Sequence, residues 1–136
     1  MAGALAAAAG AAQAATDPAK IEARYTPAYQ ACLDAADGSS SGMIGCITDE
    51  FKVQDARLNT AYHKVMAGLN ERQKAKLRAA QRAWVVFRDA DCQSASDEDW
   101  GTVSYVGSNS CMLVRTVERT LELEAFPFGG EADSTD

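Results

Sequence analysis

The chain reads as an all-α domain, a small antiparallel helical bundle of about four helices stapled by two disulfides. Three observations predict this. Apolar side chains recur at steps of three, four or seven residues over long stretches. No alternating run is long enough for a strand. The cysteines number four, an even count in a chain with an export-type N-terminus.

Taken in order, residues 1–14 carry no charge, are almost all small or apolar, and end in Ala12-Gln13-Ala14, the pattern of a signal-peptidase site. They read as a signal-peptide-like segment cleaved after Ala14. The run is too short to span a bilayer. The remainder is therefore expected in the periplasm or secreted, with residues 15–126 as the helical domain and 127–136 as a disordered acidic tail. Asp17 and Pro18 form an N-cap and first-turn pair. Ile21, Tyr25, Tyr29, Cys32 and Leu33 then follow helical spacing, interrupted by Pro27, which predicts a broken first helix.

The stretch from Asp37 to Gly42 consists only of Asp, Gly and Ser and reads as a loop. From Met43 to about Leu69, the positions Ile44, Ile47, Phe51, Leu58, Tyr62, Val65 and Leu69 give the clearest amphipathic stripe. Asn70 is placed to cap the next helix, which runs to about Cys92. Leu77, Ala80, Trp84, Phe87 and Asp91 mark its inner face, and Arg72, Lys74, Lys76, Arg78 and Arg82 its solvated one. Beyond the acidic loop Asp97 to Gly101, Val103, Val106, Leu113, Val117 and Leu121 predict a last helix ending before Pro127. Phe51, Tyr62, Trp84 and Phe87 are expected in the core, and His63 in solvent.

Charge narrows the function. Lys and Arg number 13 against 19 Asp and Glu, for a net charge of −6. Nucleic-acid binding needs a concentrated basic face, so a basic protein partner fits better. A single His, with no Gly-rich phosphate loop and no paired-histidine metal signature, points away from catalysis, cofactors and metals. Asp89 and Asp91 offer no spacing that demands acid–base work.

Cys32, Cys46, Cys92 and Cys111 contain no C-x-x-C, which argues against zinc and thioredoxin-type chemistry and for two disulfides. The local pairs Cys32–Cys46 and Cys92–Cys111 are favoured, since each closes a loop containing turn-forming residues; a crossed Cys32–Cys111 pairing stays open. Each closure is worth roughly 3 kcal/mol on a chain-entropy argument.

Two charged residues interrupt apolar faces. Asp55 falls between Phe51 and Leu58, and Arg88 between Trp84 and Asp91. On helices joined by a short connection they are placed to pair in the core; the alternative leaves both at the edge of the stripe in water. Gln81, Arg119, Asn59 and Thr116 are expected to hydrogen-bond between helices.

Three blocks carry a family resemblance. They are Asp55-Ala56-Arg57-Leu58-Asn59-Thr60-Ala61-Tyr62, the run from Ala79 to Cys92 with its Gln81-Arg82-Ala83-Trp84 and Phe87-Arg88-Asp89-Ala90, and Cys111 with Thr116-Val117-Glu118-Arg119. Together, over roughly Tyr29 to Glu124, they resemble the LprI-like lysozyme-inhibitor family, whose Cys positions also agree at Cys32 and Cys46. Where many members carry a Gly-Gly pair after the third helix, this chain has Trp100-Gly101. The resemblance implies a small exported helical domain that binds and inhibits lysozyme in the periplasm or cell envelope.

Lysozymes are commonly basic and work through a pair of carboxylates in a cleft. An inhibitor is expected to present acidic groups for steering and a protruding side chain for obstruction. Asp97, Glu98, Asp99 and Trp100 combine both in one loop. Asp34, Asp37, Asp49 and Glu50 form a second acidic candidate. The alternatives are an interaction or immunity protein for another envelope enzyme, and a structural envelope domain with no enzyme target.

Overall fold

The structure, a computed structural model, describes residues 17–127. The signal-peptide-like segment and all of the acidic tail beyond Pro127 lie outside the described residues. Within them the chain forms five α-helices and one 3-10 turn. They are α1 (Pro18–Glu22), α2 (Pro27–Ala36), α3 (Ser40–Ala67), α4 (Glu71–Gln93), the turn Glu98–Trp100, and α5 (Thr102–Glu124).

Both proline signals act at helix starts. The Asp17 carboxylate accepts from the Ala19 N–H at 3.0 Å, with Pro18 in the first turn. Thr26 caps α2 by accepting from the Tyr29 N–H, with Pro27 behind it. The expected break in the first helix thus produces two separate helices.

The loop after α2 is shorter than its composition suggests. Asp37 and Gly38 both adopt left-handed backbone, φ 47° and 78°, and these two residues with Ser39 complete the reversal. Ser39 caps α3, so Ser40, Ser41 and Gly42 belong to its first turn. Gly42 is needed there for close approach, because a Cβ would lie 3.0 Å from that of Ala36. The Cys32–Cys46 disulfide then ties α2 against α3.

At the other end of α3, Asn70 and Gln73 form a reciprocal capping box, each side chain accepting from the other's backbone N–H at 2.9 Å. Helix α4 returns antiparallel to α5, as its cross-links record: Gln81 with Arg119, Arg88 with Thr116, Asp91 with Arg115, and the disulfide Cys92–Cys111. Both local disulfides form.

The main packing runs between α3 and α5, with α2 laid on α3 and α4 on α5. Leu58, Ala61 and Val65 of α3 and Leu69 just beyond it join Leu77 of α4 and Leu123 of α5 in one buried cluster. Since Leu69, just past the end of α3, meets Leu123 at the end of α5, these two helices run parallel, with α4 antiparallel to both. Trp84, Tyr62, Met66 and Phe126 pack against that cluster while only partly buried.

The inner face of α4 is rotated from the expected one. Leu77, Gln81, Trp84, Arg88 and Cys92 line it, stepping by four, three, four and four residues. Phe87, expected in the core, is 58% exposed, because the inward position one residue later belongs to Arg88. Phe51 is half-buried and His63 exposed, the latter edge-on to Tyr62.

Candidate functional site

The chain between α4 and α5 forms a largely exposed turn. Its two ends are tied together: Cys92, fully buried, bonds Cys111, and Asp91 pairs with Arg115 at 3.2 Å beside it. Above this tie the Asp97 carboxylate accepts from the Asp99 N–H at 2.9 Å, and the Trp100 N–H donates to the Asp97 carbonyl at 3.1 Å. The Ser104 hydroxyl accepts from the Asp97 N–H and donates to the Gly101 carbonyl at 2.8 Å, locking the turn onto the start of α5. Gly101, at φ 73°, lets the chain enter the helix in a conformation that would strain other residues.

This scaffold holds Asp97, Glu98, Asp99 and Trp100 outward. All four are exposed, Trp100 by 60%, and Val103 one turn on by 67%. Among the described residues no Lys or Arg pairs with the three carboxylates, so their field is left unneutralised. All four candidate residues are therefore exposed on one fixed turn.

The second acidic candidate does not hold together. Asp34, Asp37 and Asp49 are exposed, but Glu50 is 2% exposed and turned inward. Its carboxylate accepts from the Thr26 N–H at 2.9 Å, the Thr26 hydroxyl at 2.6 Å and the Gln54 amide at 2.8 Å. Burial works to raise its pKa. The hydrogen bonds from Thr26 and Gln54, with the charge of Arg57, outweigh that and hold it below the usual carboxylate range. Gln54 and Arg57 also both donate to the Arg24 carbonyl at 2.7 Å, fastening the segment between α1 and α2. The sequence signal for this node was the spacing of Glu50 and Gln54, one turn apart on the stripe that contains Ile47 and Leu58.

The four polar residues expected in the core behave differently from one another. Arg119 donates to Gln81 at 2.9 Å, joining α5 to α4, and pairs with Glu122. Arg88 is 7% exposed, but its partner is Asp89 at 2.9 Å rather than Asp55. Its guanidinium carbon also lies 5.0 Å from the centre of the Trp84 ring and 5.6 Å from that of Phe51, and it donates to Thr116. Planar charge between two aromatic faces, with a carboxylate next door, makes this burial tolerable. Asp55 stays at the rim, half-buried and unpaired among the described residues. The expected Asp55–Arg88 pair does not form, since α3 and α4 approach each other little and the neighbouring Asp89 is nearer. Asn59 is exposed and, among the described residues, bridges no helices.

A family profile described as lysozyme inhibitor LprI matches residues 32–123, a span that contains both disulfides, the Arg88 cluster and the acidic turn. The chain belongs to the LprI lysozyme-inhibitor family. Among family relatives, an uncharacterized protein of Escherichia coli (strain K12), YecT, is 31% identical over 97 residues, covering 60% of each chain. An uncharacterized protein of Rhizobium meliloti (strain 1021) is 29% identical over 93 residues, covering 58% of this chain and 67% of that one. The match thus spans less than two thirds of the first relative. No solved structure matches. Family and disulfides are consistent with an extracytoplasmic location, and no helix among the described residues is long and apolar enough to cross a membrane.

Proposed function

We propose that this domain is an exported, non-catalytic inhibitor that binds a basic lysozyme-type cell-wall hydrolase through the turn Asp97–Trp100. The observation that carries the reading is the tied turn itself. An aromatic side chain is held in solvent among three unpaired carboxylates, at the edge of a disulfide, in a chain of the inhibitor family. Long-range attraction between the acidic turn and a basic enzyme raises the encounter rate, and burial of the Trp100 indole supplies much of the contact energy. Because the turn is already ordered, little conformational entropy is lost on docking.

The test is inhibition of lysozymes of several types by the disulfide-bonded domain at low and high salt. Inhibition that weakens as salt rises supports the reading. Failure to inhibit any of them overturns it and directs the search to another envelope enzyme.

A further inference from the structure

We infer that the cleft between α3 and α4 is a binding site for a carboxylate-bearing saccharide. The inference does not rest on the lysozyme reading and involves the other side of α4. The two helices are consecutive, but their backbones approach α5 more closely than each other, and they touch through Leu77 at one end and Arg88 on Phe51 at the other. Between them lies an open cleft of about 570 Å³, a size suited to a small ligand. Phe51 beneath Arg88 fixes the register, so the α3 segment from Asp55 to Tyr62 faces the α4 segment from Arg78 to Val85.

The lining chemistry selects the ligand. Arg78 and Arg82 line the cleft with no hydrogen-bond or ion-pair partner among the described residues, as is also true of Arg72 outside it, whereas Arg24, Arg57, Arg88, Arg115 and Arg119 are all engaged within the chain. Two free guanidinium forks in a protein of net charge −6 are a local inversion of sign, and they match a carboxylate in shape. Asp55 faces the same space as an acceptor-only group, so a ligand bearing nothing but carboxylates would be repelled there. The ligand must therefore also carry donors. Asn59 adds an amide that both donates and accepts, Gln81, whose oxygen already accepts from Arg119, adds an NH2 donor, and Tyr62 adds an aromatic ring. Hydroxyl and N-acetyl groups together with a carboxylate answer all of these, and an acidic amino sugar has them.

The experiment titrates the disulfide-bonded domain, followed by amide NMR shifts, with three probes: the disaccharide of N-acetylglucosamine and N-acetylmuramic acid, neutral di-N-acetylchitobiose, and tetraglutamate. The acidic disaccharide should bind in a saturable way, shifting resonances in Asp55–Tyr62 and Arg78–Arg88, and at least about tenfold more tightly than chitobiose. The double variant Arg78→Gln, Arg82→Gln should remove that preference with the fold intact, since both side chains are exposed. Asp55→Asn should weaken both sugars. No saturable binding of the acidic disaccharide overturns the inference. So does unchanged binding in the double variant, or tetraglutamate binding as tightly as the disaccharide.

Discussion

Thr26 grips the Glu50 carboxylate with two donors, its backbone N–H on one oxygen at 2.9 Å and its hydroxyl on the other at 2.6 Å. The same hydroxyl accepts from the Tyr29 N–H, so one residue both starts α2 and docks it on α3. The fold here depends on a buried charge with every hydrogen bond made.

Acid should loosen this node. The folded pKa of Glu50 is held below its ordinary value, so its stabilisation is complete above the ordinary carboxylate range, near pH 4.3 to 4.5, and is lost as pH falls through the lowered value. Glu50→Gln removes the charge and turns an amide donor towards donors, at a cost of about 2 kcal/mol. Thermal melts of both proteins from neutral to acid pH check this: the wild type should decline below about pH 4 and the variant start lower with a flatter acid limb.

Alkali should act on α1 and α2. Tyr25 has its pKa pushed up to about 12, first by burial and then by Tyr29, Glu22, Glu50 and Glu118. A raised folded pKa means stability fully present below the unfolded value, about 10, and lost as pH rises through the folded one. Burial and Glu50 also push Tyr29 up, so tyrosinate absorbance should show both titrating late with Tyr25 last, and Tyr25→Phe should remove the latest component.

Arg88 and Asp55 should separate cleanly on mutation. Arg88→Ala takes a planar cation from between Trp84 and Phe51 and leaves Thr116 with one partner fewer, costing about 2 to 3 kcal/mol. Arg88→Lys should recover only part of that, since an ammonium does not stack. Asp55→Asn, at the cleft rim, should change stability by less than about 0.5 kcal/mol. Chemical denaturation of the three variants measures these differences.

Much of this architecture was legible because local chemistry and tertiary packing agree. Asn70 with Gln73, Asp17 with Pro18, and the break at Pro27 are all capping events, and the long stripe of α3 needed only its period. The local disulfides follow from the helical hairpins that they close. What stayed hidden depended on packing between elements. Ser40 to Gly42 read as loop, yet Asp37 and Gly38 already make the reversal and Gly42 serves the contact with Ala36. Phe87 lost the inward position to Arg88, whose aromatic box needs residues from both α3 and α4. The turn Asp97–Trp100 could be proposed from composition; only the structure gives its anchoring to Ser104 and its exposure.

The tie beneath that turn should matter for binding as well as stability. Replacing Cys92 and Cys111 together by Ala removes a cross-link worth roughly 3 kcal/mol. It also frees the α4 end from α5, so affinity for the target enzyme should fall more than in the Cys32, Cys46 double variant, which leaves the turn anchored. Melting and binding measured on both pairs decide it.

The most direct test of the account is the affinity of the disulfide-bonded domain for an inhibited lysozyme, measured by calorimetry for the wild type, Trp100→Ala, and the triple variant Asp97→Asn, Glu98→Gln, Asp99→Asn. Trp100→Ala should cost about 2 kcal/mol, and the triple variant should lose most of the salt dependence. Wild-type affinity and salt dependence in both variants would contradict the account and remove the turn from the interface.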